Sequence, residues 1–358
     1  MRVRLEDVCE KESSKLKQSD VIDQNGLYPV YGASGYLGNI NTYQQSNYYI
    51  AVVKDGAGIG RTMLLPPESS IIGTMQYLIP KDNVLPEYLY YVVKAKHLEK
   101  YFSGATIPHI YFKDYKNEQF DLVSFEEQRV IINRLKKIEI IIDNLSKNLL
   151  LLDELVRARF VEMFGNPVTN DMLWNTDVLK DICTKIGSGS TPRGGKESYI
   201  DEGISLIRSM NVHNAYFEYK DLAHITLDQA EKLNNVVVEH DDLLFNITGA
   251  SVARCCVVPS DVLPARVNQH VCILRCREKI NPIFLQELLV NENYQGKLLQ
   301  IAKSGATREA INKQQLESLE IMLPPLELQN QFALFVEEID KSRLLSNHSL
   351  FLIKSLIF

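Results

Sequence analysis

The longest regularity in the chain is a row of apolar side chains at alternating spacings of four and three residues: Ile131, Leu135, Ile138, Ile142, Leu145, Leu149, Leu152 and Val156. On a helix these positions fall on one narrow stripe, the seam of a coiled coil. The pattern predicts a helix of about 38 residues, roughly 57 Å long at ~1.5 Å per residue. It should end near Phe164-Gly165-Asn166-Pro167, where Gly and Asn suit a C-cap and proline forbids continuation. Such a helix is longer than any one small domain requires. Moving the seam by 201 positions gives Phe332, Val336, Ile339, Arg343, Ser346, Leu350, Ile353 and Ile357, of which six of eight are apolar. A second long helix is therefore expected there. Arg343 and Ser346 are polar where the seam should be apolar, and a polar residue at such a place costs stability while fixing register or partner. Alternatively, Leu344 and Leu345 carry the seam through a small register shift. Matched seams would bury the two stripes against each other and hold two globular regions apart.

The two halves of the chain share landmarks in the same order. Leu5-Glu6-Asp7-Val8-Cys9 answers to Leu179-Lys180-Asp181-Ile182-Cys183, an offset of 174. Asp55-Gly56-Ala57-Gly58-Ile59-Gly60-Arg61 answers to Thr248-Gly249-Ala250-Ser251-Val252-Ala253-Arg254, and Gln76 to Gln269, both at 193. Ser103-Gly104-Ala105-Thr106 recurs identically as Ser304-Gly305-Ala306-Thr307, and Phe125-Glu126-Glu127-Gln128 matches Leu326-Glu327-Leu328-Gln329, both at 201. An offset that grows and then holds describes a tandem repeat whose second copy carries insertions in its early part. The expected layout is α+β: a first domain at 1–122, a long helix at 123–165, a second domain at 166–323 and a final long helix at 324–358.

Composition changes this picture little. The chain has 358 residues, 45% hydrophobic and 23% charged, as in an ordinary soluble protein of two domains. The N-terminal residues lack the apolar core of a signal peptide, and no apolar run is long enough for a membrane span, so a cytoplasmic location without membrane contact is expected. Six cysteines do not form a disulfide framework in such a chain, and Cys255, Cys256, Cys272 and Cys276 fit no zinc-ribbon spacing; Cys272 lies in the strand-like Val271-Cys272-Ile273-Leu274. No metal is expected. Net charge is −6, with 13 basic and 13 acidic groups in residues 1–120 and 16 and 20 in 166–320. Any affinity for DNA must come from local patches or from partner subunits, because neutralising phosphates needs clustered Lys and Arg.

Catalytic constellations are not found. Gly187-Ser188-Gly189-Ser190-Thr191-Pro192-Arg193-Gly194-Gly195-Lys196 resembles a phosphate loop, yet Ser190 stands at the first glycine and Glu197 where Ser or Thr should bind magnesium. Gly56-Ala57-Gly58-Ile59-Gly60 lacks dinucleotide spacing and reads as a tight turn between strands, with glycine supplying positive φ. Seven histidines are scattered without a nucleophile, and neither a methyltransferase motif nor a nuclease-like cluster of carboxylates and lysine is present.

Taken in order, the repeat, the helices and the glycine landmarks resemble the specificity subunit of type I restriction-modification enzymes, over essentially the whole chain. The residues that carry the resemblance are Tyr28-Pro29-Val30-Tyr31-Gly32-Ala33-Ser34-Gly35, Gly189-Ser190-Thr191-Pro192 with Gly203-Ile204-Ser205-Leu206-Ile207, and Pro324-Pro325-Leu326-Glu327-Leu328-Gln329. The resemblance implies two target-recognition domains in tandem, each reading one half of a split site in double-stranded DNA, separated by two long helices that form an antiparallel coiled coil. It implies two methyltransferase subunits and restriction motor-nuclease subunits as partners. S-adenosylmethionine, ATP and magnesium would sit on those partners, with no cofactor and no catalysis in this chain. A scaffold with two protein-binding repeats is the alternative.

Base discrimination needs directional donors and acceptors near a groove, and phosphate contact needs Lys, Arg or backbone amides. The candidates in the first domain are Ser34, Tyr36, Lys54, Arg61, Gln76, His109, Tyr111 and Lys113. Those in the second are Thr191, Arg193, Lys196, Arg208, Asn211, Asn246, Thr248, Arg254, Asn268, Gln269, Arg308 and Lys313. Arg61 and Arg254 lead, since each follows a small-residue turn at an equivalent place.

Overall fold

A computed structural model describes the chain except for residues 23–24, 105–107, 193, 304–308 and 358. The first repeat runs β1 (Arg2–Arg4), α1 (Leu5–Val8), β2 (Cys9–Ser13), β3 (Tyr28–Gly32), β4 (Gly35–Ile40), β5 (Tyr49–Val53), β6 (Thr62–Leu65), β7 (Ser70–Ile71), β8 (Met75–Pro80), α2 (Pro86–Lys94), α3 (Phe112–Tyr115) and β9 (Gln119–Asp121). The long α4 (Phe125–Phe164) follows. The second repeat runs β10 (Asn175–Val178), α5 (Leu179–Ile182), β11 (Cys183–Ser188), β12 (Ile204–Ile207), β13 (Val212–His213), β14 (Tyr216–Phe217), β15 (Ala223–Ile225), α6 (Leu227–Glu231), β16 (Val237–Val238), β17 (Leu243–Asn246) and β18 (Cys255–Val257). It closes with β19 (Ala265–Val267), β20 (Val271–Cys276), α7 (Pro282–Val290), α8 (Glu292–Lys303), α9 (Lys313–Glu317) and β21 (Glu320–Leu323), before α10 (Leu326–Ile357).

The repeat seen in the sequence is a repeat of topology. A four-stranded sheet has the order β2-β8-β5-β6 in the first copy and β11-β20-β17-β18 in the second. A second sheet has the order β4-β3-β7 in one and β15-β12-β19-β16 in the other, and in both the chain returns in parallel, β3 beside β7 and β12 beside β19. The short ladders β1-β9 and β10-β21 close each copy at its base. The hairpin β13–β14, α6 and β16 have no counterpart among the described elements of the first copy. They lie between the landmarks at offsets 174 and 193, which is where the sequence required an insertion.

Central strands bury both faces. All five residues of β5 are buried, as are all four of β17, so they read as unbroken apolar runs instead of alternating ones. In the first repeat Leu5, Val8, Ile50, Val52, Leu78, Leu89 and Tyr115 share one core beneath α2. In the second, α7 is buried on nearly every face and joins Phe160, Phe164 and Phe332 through Phe284, with ring centroids 4.8–5.8 Å apart. Gly165 ends α4 in the left-handed region at φ 74°, its N–H donating to Val161 O at 2.9 Å, as the expected C-cap requires.

The chain divides into two compact units, Met1–Asn144 with Leu350–Phe358, and Leu145–Ser349. Within the second, Phe160 and Phe164 meet Phe332 while Asp153 meets Arg343 at 2.7 Å, so α4 and α10 run in opposite directions there. All eight seam positions of α4 are buried or half-buried. On α10, Arg343 and Ser346 keep the seam: Arg343 is half-buried, whereas Leu344 and Leu345 are 70% and 71% exposed. The register shift onto the two leucines does not occur, because the Arg343 guanidinium is bonded across to Asp153 and along its own helix to Asp340 at 2.5 Å. Ile357 lies outside the described side chains.

Each long helix is joined to its repeat by one buried glutamine. Gln128 accepts from Leu85 N at 2.8 Å and donates to Val123 O at 3.0 Å. Gln329, 201 positions later, accepts from Asn281 N at 2.9 Å and donates to Pro324 O at 2.8 Å. Both are almost wholly buried. Each therefore ties the first turn of α2 or α7 to the entry of α4 or α10.

Gln329→Leu keeps the volume and strips Asn281 N–H and Pro324 C=O of their partner, at about 1–3 kcal/mol per group left unsatisfied. A clear fall in the denaturant midpoint of the second unit is expected, whereas substitution of the exposed neighbour Gln331 should leave it unchanged. Glu287 gives a second prediction. This buried carboxyl on α7 accepts from Gln286 Nε2 at 2.9 Å; burial pushes it up to about 7, against that hydrogen bond and the charges of Arg343 and Arg157. A raised folded pKa contributes stability below the unfolded value, and that contribution is lost as pH rises through about 7. Glu287→Gln should match the parent in Tm near pH ~5 and exceed it increasingly toward pH ~8.

Candidate nucleic-acid interface

The expected tight turn between strands is present in both copies, and its backbone bonds are the same ones. In the first, Val53 N donates to Arg61 O and Gly60 N to Val53 O, both at 2.9 Å. In the second, Asn246 N donates to Arg254 O at 2.9 Å and Ala253 N to Asn246 O at 2.8 Å. Gly56 and Gly249 sit at φ 95° and 77° with open space where a Cβ would project, so backbone conformation and not crowding selects glycine there. Each turn is also clamped by the segment that follows the Ser-Gly-Ala-Thr landmark. Gly56 N donates to Pro108 O and Ile110 N to Lys54 O, at 3.0 and 2.9 Å; Gly249 N donates to Glu309 O and Ile311 N to Ile247 O, both at 2.9 Å. The segment just after the late landmark thus accompanies the turn in both copies because Pro108 with Ile110, and Glu309 with Ile311, build the other half of the same surface. Residues 105–107 and 304–308, which include most of that landmark and the candidate Arg308, lie outside the described residues, as does Arg193.

On the first clamp the Asp55 carboxylate accepts from Lys54 Nζ at 2.8 Å and meets His109 Nδ1 at 2.7 Å. Burial raises the Asp55 pKa, but the hydrogen bonds and charges of Lys54 and His109 outweigh it and hold the carboxyl below its usual value. The His109 ring stacks on exposed Tyr111, and Lys113 Nζ lies over the Tyr111 ring at 5.3 Å from its centroid. Exposed Arg61 donates to Ala33 O at 2.7 Å, beside exposed Ser34, and exposed Tyr36 donates to Asn39 Oδ1 at 3.1 Å. Seven of the eight candidates in this repeat therefore belong to the surface around one turn or its neighbouring hairpin. Gln76 does not. It is 3% exposed and donates to Glu12 O and Tyr77 O, so it braces β8 against β2.

On the second clamp Thr248 Oγ1 and His270 Nδ1 are 2.6 Å apart, His270 Nε2 meets Gln269 Nε2 at 3.1 Å, and Gln269 Oε1 accepts from Thr191 Oγ1. Arg254 donates to His213 Nδ1 at 3.3 Å, and the His213 ring stacks on exposed Tyr216 at 4.6 Å. Thr248, Arg254 and His270 line an open depression of about 390 Å³ with Ser209, Met210 and Ser251. Arg208 lies 5.5 Å from the Tyr199 ring centroid and donates to Asp221 O. Lys196 is exposed, and Lys313 pairs along α9 with Glu317 at 3.6 Å. Three asparagines are a correction to the candidate set: Asn211, Asn246 and Asn268 are buried and committed inward. Asn211 Nδ2 donates to Glu218 O, Asn246 Nδ2 to Ser209 O, and Asn268 Oδ1 accepts from His270 N. A polar side chain inside a sheet domain must satisfy itself on backbone, and that need outranks contact with a ligand.

Asp55, His213, Tyr216 and His270 join these surfaces and were not among the candidates read from the sequence. Asp55 stands inside a repeated landmark, and His270 follows Gln269, so their positions were legible; an acid and a lone histidine carried no signal without their partners. Among the described residues no group of His, Cys, Asp or Glu is placed to hold a metal ion, and no helix is long and apolar enough to cross a membrane. The six cysteines are free thiols, and burial pushes Cys9 and Cys183 up to about 12.

Two copies of one α+β domain in tandem, each leading into a long helix and each displaying a clamped turn, define a class of internally duplicated two-domain protein. The model of the type I restriction modification DNA specificity domain matches residues 1–151 and 172–352, and the chain belongs to that family. It is 25% identical over 176 residues to the type I restriction enzyme MjaIX specificity subunit of Methanocaldococcus jannaschii, covering 47% of this chain and 38% of that one. It is also 25% identical over 170 residues to the putative MjaX specificity subunit of the same organism, covering 47% and 39%. The matched stretch spans well under half the length of either relative. The crystal structure of the type I restriction-modification S subunit from M. genitalium is similar at a TM-score of 0.64 and 14% identity, covering 100% of this chain and 93% of that one. A chain from a structure described by the assembly and conformational transition of the type I R-M system gives 0.60 and 17%, covering 100% and 95%. At these identities the two structures speak for the fold.

Proposed function

We propose that the chain is the DNA-recognition subunit of a type I restriction-modification complex, with each repeat reading one half of a split site in double-stranded DNA. The observation that carries this reading is the clamped turn, built twice on the same backbone bonds and furnished with different side chains. In the first repeat Lys54, Asp55, His109, Tyr111 and Arg61 surround it; in the second Thr248, His270, Gln269 and Arg254 do. One scaffold with two sets of donors and acceptors is what two unlike half-sites require. Net charge is negative and Lys54 is neutralised by Asp55, so much of the phosphate grip falls to partners. Those partners are two methyltransferase subunits carrying S-adenosylmethionine and the motor-nuclease subunits carrying ATP and magnesium. The chain itself performs no reaction.

Replacing residues 1–120 with the equivalent domain of a relative should change one half of the motif methylated in a host and leave the other half unaltered. Change in both halves would show that reading is shared between the repeats. The long helices, on this reading, set the distance between the half-sites. Four residues inserted in the middle of α4 add about 6 Å and turn the helix roughly 40° beyond one full turn, so the apolar stripe nearly realigns. The expected outcome is the same two half-sites with a gap longer by one or two bases, or loss of activity where the accompanying rotation is not accommodated. Full activity at the original gap would remove the spacing role.

A further inference from the structure

We propose that His109 holds a phosphate of the DNA bound by the first repeat, taking up a proton from solvent as it does so, and that Asp55 positions its ring for this contact. The proposal rests on the DNA-recognition reading above. His109 Nδ1 lies 2.7 Å from Asp55 Oδ1, and Asp55 Oδ2 accepts from Lys54 Nζ at 2.8 Å. Burial favours the neutral acid of Asp55, but the hydrogen bonds from Lys54 and His109 outweigh it, so the group is charged near neutral pH. A carboxylate only accepts, so the proton between the two residues sits on Nδ1. The donor direction of this bond is thereby decided. Main chain holds the ring in place as well: His109 N donates to Ser103 O and Ser103 N to His109 O, both at 2.8 Å. The flanking Pro108 O and Ile110 N bond to the turn that carries Asp55.

With Nδ1 committed, Nε2 is the ring nitrogen left to act. Among the described residues no group meets it, and 35% of the side chain is exposed. A neutral ring offers a lone pair at Nε2, whereas a charged ring donates there. Phosphate oxygens accept and never donate, so a phosphate is held only by the charged ring, with the Asp55 carboxylate on its far side. The surrounding charges favour that anion. Lys54 and Asp55, on the turn after β5, offset each other. Beyond the stacked Tyr111 ring stands Lys113, which has no acidic partner among the described residues. A protonated His109 and Lys113 therefore leave the patch positive. An acid on a DNA-binding surface would otherwise repel phosphate; here it is spent on the ring and on Lys54. The second repeat has no such pair, because Thr248 faces Ala310 at the places where Asp55 faces His109.

The test uses the chain assembled with its partner subunits and a duplex carrying the motif that this complex selects from a randomised library. Binding coupled to proton uptake strengthens as pH falls, by at most about tenfold per pH unit. His109→Asn can still donate to Asp55 but lacks the outer nitrogen, and His109→Gln is a second variant of the same kind. Between pH ~8.5 and pH ~6 the parent should gain roughly 5- to 50-fold more affinity than either variant. At pH ~6 the variants should also show a log–log salt slope smaller by about 0.9, the value for one phosphate, with base preferences unaltered at every position. At pH ~8.5 the slopes should coincide. Asp55→Asn, which neither fixes the proton on Nδ1 nor balances the charged ring, should lose most of the pH-dependent gain. An affinity that strengthens with rising pH in the parent, relative to the His109 variants, would mean that Nε2 accepts from a base, and the phosphate contact is then wrong. Identical pH and salt profiles for the parent and both variants overturn the proposal, and an Asp55→Asn complex with the parent's profile removes the positioning role. A parent complex that selects no split motif is a separate failure, and sinks the DNA-recognition reading itself.

Discussion

Gln128 and Gln329 are the bonds on which the rest of the architecture depends. Each sits in the first turn of a long helix, buried, with its amide divided between the N–H at the start of the helix packed beside it and a carbonyl of its own approach. An amide in that setting has no water to fall back on, so the geometry is held by the cost of leaving it unmet. A long helix could otherwise leave its domain at many angles. The two glutamines hold the entry of α4 to the first turn of α2 and the entry of α10 to the first turn of α7.

Above this base the two repeats keep backbone and vary side chains. The turn after β5 and the turn after β17 share their bonds, their positive-φ glycine and their clamp, yet Asp55 and His109 occupy places held by Thr248 and Ala310. Main-chain hydrogen bonds are indifferent to most side chains, so a surface held by main chain can change its chemistry without losing its shape. Burial marks where that freedom stops. Asn211, Asn246 and Asn268 satisfy backbone groups inside the second repeat and cannot be exchanged without leaving those groups unpaired.

The helix seam shows the same division between shape and specification. Apolar residues line most of it, and Phe160, Phe164, Phe284 and Phe332 lock the end nearest the second repeat. Arg343 interrupts the apolar row and pairs with Asp153 on the facing helix. A partly exposed ion pair adds little stability. It does penalise any slip of one helix against the other, because a slip would leave the guanidinium facing apolar side chains.

The sequence by itself determined the duplication, the two long helices, their seam and cap, and the turn with its positive-φ glycine. These depend on spacing and on local backbone preference, which are written in residue order. Only the tertiary structure decided that Arg343 stays in the seam, that Gln76 and three asparagines are braces, and that Thr191, Gln269, His270 and Thr248 join into one chain. Those outcomes depend on which groups meet across large separations in sequence and on how much water reaches them. A polar residue looks the same in sequence whether its partner is a backbone carbonyl in the core or a base in a groove, and burial alone separates the two.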